Sequence, residues 1–501
     1  MPRRRTPTYG RRVTAPPPRV GAPEALPATV GALRASGHEY RTVKDEIRAN
    51  LLARMRGGRP RFPGVVGFDD TVLPDLERAL LAGHDVVLLG ERGQGKTRLI
   101  RTVVGLLDEW SPVIAGAELH EHPFAPITPA SRRRAAELGD DLPVAWVHRD
   151  ERYAEKLATP DTSVGDLIGD VDPIKVAEGR TLGDPDTIHF GIVPRTHRGI
   201  FAVNELPDLA ERIQVSLLNV LEERDVQVRG YVLRLPLDVL VLASANPEDY
   251  TNRGRIITPL KDRFGAEIRT HYPLDVDLEV DLVRQEAQLV AAVPEHLVEV
   301  LARFARSVRE SPAVDSRSGV SARFAIAGTE TVAGAALRRA ALLGEPEPVA
   351  RVGDAESVPT TLRGKVEFEA DGEGREEEVL EHLLRRSVAE TWRSRLGGLD
   401  LSGFVRLVEH GHGIATGDQV PLGELLQQIG RVPGLAQVLG RLGFDEVPTP
   451  AEAASAVEFV LEGLHLTRRL AKDVLDDGRV VYGAAHTGDD DDDRRRRRRD
   501  R

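Results

Sequence analysis

The clearest chemistry in this chain of 501 residues lies in Gly90-Glu91-Arg92-Gly93-Gln94-Gly95-Lys96-Thr97, which fits the phosphate-loop pattern G-x-x-x-x-G-K-[ST]. Glycines let successive backbone N–H groups turn inward around phosphate oxygens, and a helix starting at the end of the motif adds its positive pole. Lys96 is expected to reach the β- and γ-phosphates of a nucleotide, and Thr97 to set its hydroxyl on Mg²⁺. The apolar run Asp85-Val86-Val87-Leu88-Leu89 supplies the strand that must precede such a loop. With strand, loop and helix in order, a glycine-rich turn carrying a surface lysine is the weaker reading.

Hydrolysis also needs a carboxylate on a neighbouring strand to handle metal and water. Ile200-Phe201-Ala202-Val203-Asn204-Glu205 is placed as a Walker B strand, with Glu205 as base for the attacking water; its competing reading is a helix cap. An Asp is expected at position 204 and the chain has Asn204. Its amide oxygen can accept from a metal-bound water but brings no negative charge. Thr97 and Asn204 are therefore the expected metal contacts. Asn246 ends the run Val241-Leu242-Ala243-Ser244-Ala245 and can orient the water. Arg263, in Leu260-Lys261-Asp262-Arg263-Phe264-Gly265, reads either as an arginine finger for a neighbour's γ-phosphate or as a surface ion pair with Asp262.

Positioning these groups requires a sheet. Five apolar runs are expected as strands: 85–89, 143–147, 200–203, 239–243 and 268–271. Helical spacing separates several of them, as in Leu209, Ile213, Leu217 and Leu221. The fold class is therefore α/β, a parallel five-stranded sheet flanked by helices. After Pro273 the strand signals stop, and stripes such as Leu297, Leu301, Phe304 and Val308 read as helices. The expected divisions are a disordered leader (1–40), a nucleotide-binding α/β domain (41–275), a helical lid (276–343), a linker rich in Pro, Gly and Glu (344–375), a helical C-terminal domain (376–486) and an Asp/Arg tail (487–501). Within the C-terminal domain, Val457, Val460, Leu464, Ala471 and Val474 read as one helical stripe.

Composition narrows the class. A net charge of −11 and 4% aromatic residues argue against a protein built to coat nucleic acid or an anionic membrane. No apolar run approaches the roughly 18 residues of a membrane span. The absence of Cys removes disulfides, thiol nucleophiles and zinc ribbons, and suits a reducing, cytoplasmic interior. His120 and His122, without a third ligand nearby, read as surface-loop histidines rather than a metal site.

Together these motifs resemble an AAA+ ATPase, and more narrowly the magnesium-chelatase small ATPase subunit and its MoxR-like relatives. The resemblance runs from Val65-Val66-Gly67 through Gly169-Asp170-Val171-Asp172-Pro173, Arg198-Gly199-Ile200-Phe201, Leu217 to Glu223 and Asn246-Pro247-Glu248-Asp249 to Asp262-Arg263-Phe264, within roughly residues 60–340. It implies that 276–343 is the helical lid, Asn246 sensor 1, Arg263 a finger acting across a subunit interface, and Arg323 sensor 2. Residues 164–196 would be an insertion presented to a partner, and 226–236 a hairpin before sensor 1. It further implies a ring, commonly a hexamer, and a partner with a von Willebrand factor A domain. Three functional readings follow: an ATPase that remodels a protein partner, an ATP-bound clamp with weak turnover, and a metal-chelatase subunit.

Overall fold

The computed structural model describes Pro23 and residues 25–171, 188–222, 226–228, 231–233, 235–247, 255–315, 319–369, 374–410, 413–429, 432–444, 447–476 and 478–485. The chain divides into two compact units between Tyr272 and Pro273.

The first unit is organised by a parallel sheet of β1 (Val86–Leu89), β2 (Tyr153–Leu157), β3 (Gly199–Asn204), β4 (Val239–Ala245) and β5 (Ala266–Arg269), in the spatial order β5-β1-β4-β3-β2. The three central strands β1, β4 and β3 are buried along their whole length, which is why they read as unbroken apolar runs. Alternation along the strands divides the core in two. Val86, Leu88, Ile200, Ala202, Leu240 and Leu242 face Ile47 and Leu51 of helix Val43–Arg56 and Leu73 and Leu76 of helix Val72–Ala82. Val87, Leu89, Phe201, Val203, Val241 and Ala243 face Ile213, Leu217 and Leu221 of helix Glu211–Glu222.

One expected strand is corrected. Residues 144–148 pair antiparallel with Trp110–Ile114 in a separate two-stranded ribbon, and the sheet takes Tyr153–Leu157 instead. An edge strand is covered on one side only, so Tyr153-Ala154-Glu155-Lys156-Leu157 carries charge and no continuous apolar run. The leader is also corrected over its described part. Thr29 caps a short helix, Val30–Ala35, whose Leu33 is fully buried, and Trp146 Nε1 donates to Pro27 O at 2.8 Å.

In the second unit, helices Val276–Glu286, Glu295–Arg309, Ala322–Leu343, Glu376–Leu396 and Pro450–Leu466 share one core that includes Leu301, Phe304, Val332, Trp392 and Phe459. Two expectations change here. The stripe 457–474 is broken: the helix ends at Leu466, and Leu470–Val474 joins Val480–Ala484 and Ile414–Thr416 in an antiparallel sheet. Residues 345–366 do not form an extended linker, because three of their charges, Glu345, Arg351 and Asp354, are buried and paired. Arg339 bonds Glu345 at 2.7 Å and Asp354 at 3.0 Å, while Arg351 bonds Glu345 at 2.7 Å and Glu458 at 3.3 Å. A buried charge must be paired to be tolerated, so these partners fix the path of the chain. The Asp/Arg tail lies outside the described residues.

Candidate functional site: a phosphate loop at the ends of three strands

The loop grows directly out of β1. Gly90 N–H donates to Ala245 O at 3.1 Å, tying the start of the loop to the end of β4. Gly93 and Gly95 take φ of 77° and 73°, left-handed values that a side chain disfavours, and Gly95 caps helix Lys96–Val103. Gly90 is required for space: an added Cβ would lie 2.0 Å from Thr270 Oγ1 and 2.3 Å from Gln94 Oε1. Those two atoms are themselves bonded at 2.9 Å, and Gln94 Oε1 accepts the Glu91 N–H at 3.1 Å. The loop is thus braced from inside by a buried glutamine and from β5 by a buried threonine.

The polar groups read from the sequence meet here. Lys96 Nζ donates to Asn246 Oδ1 at 2.8 Å, to Glu91 O at 2.7 Å and to Gly90 O. Thr97 Oγ1 donates to Asn204 Oδ1 at 3.3 Å, and Ser244 Oγ donates to the same oxygen at 3.1 Å. Glu205 follows Asn204 with φ of 57°, a strained value for a residue bearing a Cβ, and its N–H donates to Ser244 Oγ at 3.3 Å. Left-handed glycines, an ammonium bonded to neutral oxygens, and a hydroxyl beside an amide oxygen form a donor set that fits a magnesium nucleotide.

Asn204 has a further partner, on the neighbouring strand, that sequence reasoning missed. Its Nδ2 donates to Glu155 Oε1 at 2.5 Å. Glu155 also accepts from Arg101 at 2.8 and 3.0 Å and from the Tyr153 hydroxyl at 2.8 Å. Burial works against ionisation of Glu155, but the hydrogen bonds from Arg101, Tyr153 and Asn204 outweigh it and hold the carboxyl below its usual range. The one signal available in the sequence was a glutamate two residues before the end of a strand, and that strand went unassigned because it lies at the edge. Ser244 and Thr270 were missed too, since their bonds to Asn204 and to the loop residue Gln94 join distant parts of the chain.

Arg263 is not part of this cluster. It ends helix Thr258–Arg263, just before β5, whose first residue pairs with the first residue of β1. It therefore lies at the end of the sheet opposite the loop, exposed and bonded to Glu222 at 2.5 Å and Asp262 at 3.1 Å. Arg323 belongs to the C-terminal unit and is exposed on the first turn of Ala322–Leu343. Of the insertion, the described part contains a ribbon, Gly169–Val171 with Ile188–Phe190; residues 172–187 lie outside the described residues. Val226–Val228 and Tyr231–Leu233 pair antiparallel, as the expected hairpin requires.

The histidine expectation is corrected. His122 is fully buried and stacked on His38, with ring centroids 5.3 Å apart and the two Nε2 atoms at 3.1 Å. Burial first, then Arg198 and His38, push it far below the ordinary histidine value, so it is a neutral core residue. No group of three or more metal-binding side chains occurs among the described residues.

No family model matches the chain. It is 28% identical over 246 residues to the magnesium-chelatase subunit ChlI-1 of Arabidopsis thaliana, covering 46% of this chain and 53% of that protein. It is 30% identical over 214 residues to the magnesium-chelatase 38 kDa subunit of Acidiphilium rubrum, covering 40% and 55%. The chain thus spans about half the length of the curated relatives it matches. A cryo-EM-based complex of the magnesium-chelatase subunits BchI and BchD aligns over 64% of this chain and 98% of that one at 20% identity, with a TM-score of only 0.33. In sequence this chain is similar to magnesium-chelatase subunits, and its first unit is built on a five-stranded parallel sheet whose first strand runs into the phosphate loop.

Proposed function

We propose that the protein is a ring-forming AAA+ ATPase that binds and hydrolyses Mg·ATP to remodel or activate a protein partner. The observation that carries this reading is the convergence of Lys96, Thr97, Asn204 and Asn246 where β1, β3 and β4 end. In it the loop from Gly90 to Thr97 wraps the phosphates, Thr97 and Asn204 hold Mg²⁺, Glu205 activates water and Asn246 orients it. Bound Mg²⁺ would supply charge neutralisation at the β- and γ-phosphates. Arg263 completes the site of a neighbouring subunit, which its position at the far end of the sheet favours. Arg323 acts as sensor 2 from the lid.

The ring, expected as a hexamer, works on a partner carrying a von Willebrand factor A domain, in the cytoplasm. Among the described residues no helix is long and apolar enough to cross a membrane. A second reading is favoured by Asn204: without its own carboxylate the site binds ATP and turns it over slowly, so that nucleotide clamps ring and partner together. A third, a metal-chelatase subunit, rests on the names of the relatives.

The test is phosphate release with Mg·ATP by the wild type and by Glu205→Gln, with ATP binding measured on both. Turnover in the wild type alone supports the motor. Binding in both without turnover replaces it with the clamp. Equal turnover in both overturns the role of Glu205.

A further inference from the structure

The exchange of a carboxylate for an amide at position 204 leaves the metal side of the site one negative charge short. We propose that Asn204 and Glu155 act together as a split carboxylate, the amide of Asn204 presenting the oxygen and Glu155, one strand away, fixing its orientation and supplying the charge. The inference rests on the Mg·ATP reading above and makes Glu155 a positioning residue.

Three observations carry it. The first is orientation. Glu155 Oε1 accepts from Asn204 Nδ2 at 2.5 Å, and the amide oxygen then accepts from Thr97 Oγ1 at 3.3 Å and Ser244 Oγ at 3.1 Å. A flipped amide would set its oxygen against an ionised carboxylate, which can only accept. Glu155 alone therefore decides which end of Asn204 faces Thr97, since either hydroxyl tolerates both.

The second is register. Leu157 lies opposite Asn204 in the β2–β3 pairing, and Glu155 is two residues before it on the same face of β2. The charge is delivered by the backbone pairing of two strands rather than by a mobile loop. The third is exposure. The Glu155 side chain is 20% exposed and that of its counter-ion Arg101 is 62% exposed. Water screens the arginine more than the glutamate, so the potential on the Asn204 side stays negative. An outer partner that orients a ligand and raises its electron density affects metal affinity without touching the metal.

The full-length chain with a fluorescent, non-hydrolysable ATP analogue reads this directly, titrated with Mg²⁺ alone as the probe. Glu155→Gln preserves volume and an acceptor but removes the charge. The Mg²⁺ concentration giving half of the metal-dependent signal should rise about tenfold or more, with metal-free affinity for the analogue unchanged. In the Asn204→Asp background the carboxylate is direct, and the same substitution should shift the midpoint by less than about threefold. An unchanged midpoint in Glu155→Gln, or an equal shift in both backgrounds, overturns the proposal.

If Glu155→Gln loses its fold, Arg101→Ala replaces it. Removing the counter-ion should lower the Mg²⁺ midpoint, whereas a midpoint that rises or stays put overturns the split carboxylate. A wild type that binds no analogue overturns the Mg·ATP reading itself. A wild type that binds it with Mg²⁺ dependence insensitive to Glu155 overturns only this inference.

Discussion

Lys96 Nζ stands 2.8 Å from Asn246 Oδ1, joining the phosphate loop after β1 to the polar end of β4. The lysine donates otherwise only to carbonyl oxygens of its own loop among its described bonds. A phosphate oxygen is a better acceptor for the ammonium, because charge-assisted bonds are worth about 1.5–3 kcal/mol. Lys96→Ala should therefore weaken ATP binding about ten- to hundredfold while leaving the melting temperature near that of wild type. Equilibrium binding and thermal denaturation of the same preparation check both halves.

The location of Arg263 predicts complementation. Arg263→Ala keeps an intact loop and Lys96→Ala keeps an intact finger, so each variant alone should be inactive. Random mixing should restore up to about a quarter of wild-type turnover, because one interface in four then pairs a working loop with a working finger. A mixture as inactive as its components would place Arg263 outside the chemistry.

Two glycines should respond in opposite ways. Alanine at Gly90 would press its Cβ against Thr270 Oγ1 and Gln94 Oε1, so Gly90→Ala should cost about 1–3 kcal/mol and lower nucleotide affinity. Gly334, exposed within helix Ala322–Leu343, has open space where a Cβ would go. Gly334→Ala should stabilise by about 0.5–1 kcal/mol, the usual gain inside a helix. Chemical denaturation of both variants tests the pair.

Glu458 gives the C-terminal unit a pH dependence. Burial raises its carboxyl from 4.5 to about 7, against the pull of Arg351 and Arg339, and the neighbouring Asp354 adds to the rise. Between those values the folded chain keeps a proton that the unfolded chain has released, so this group's contribution to stability falls as pH rises from about 4.5 to 7. Asp354, itself raised by burial, works in the same direction. Glu458→Gln removes the first of these contributions. Relative to that variant, the wild type should gain a few degrees in melting temperature between pH 7 and pH 5, at about 2–4 °C per kcal/mol for a unit of this size. A difference that stays constant with pH would mean that Glu458 does not titrate in that window.

Legibility in the sequence followed burial symmetry. β1, β3 and β4 are covered on both faces and announce themselves as unbroken aliphatic runs, and the phosphate loop is local, so both were readable. Tyr153–Leu157 is an edge strand whose polar face hid it, and with it went Glu155. The charged residues Glu345, Arg351 and Asp354 read as linker because composition cannot distinguish a solvated charge from one paired in a core. The final sheet was hidden by coincidence. Ala471 and Val474 fall at helical spacing from Leu464, although the helix has already ended at Leu466.

The pairing of Arg263 with Glu222 has a kinetic consequence. Both side chains are exposed, and an exposed ion pair contributes little to stability. Glu222 therefore keeps the guanidinium extended without holding it tightly, and a nucleotide-bearing neighbour can take the arginine over at little cost. In the proposed ring, encounter between subunits rather than release of the arginine sets the pace of activation. Turnover per chain would then rise with protein concentration and level off once the rings are complete, making dilution by itself an off-switch.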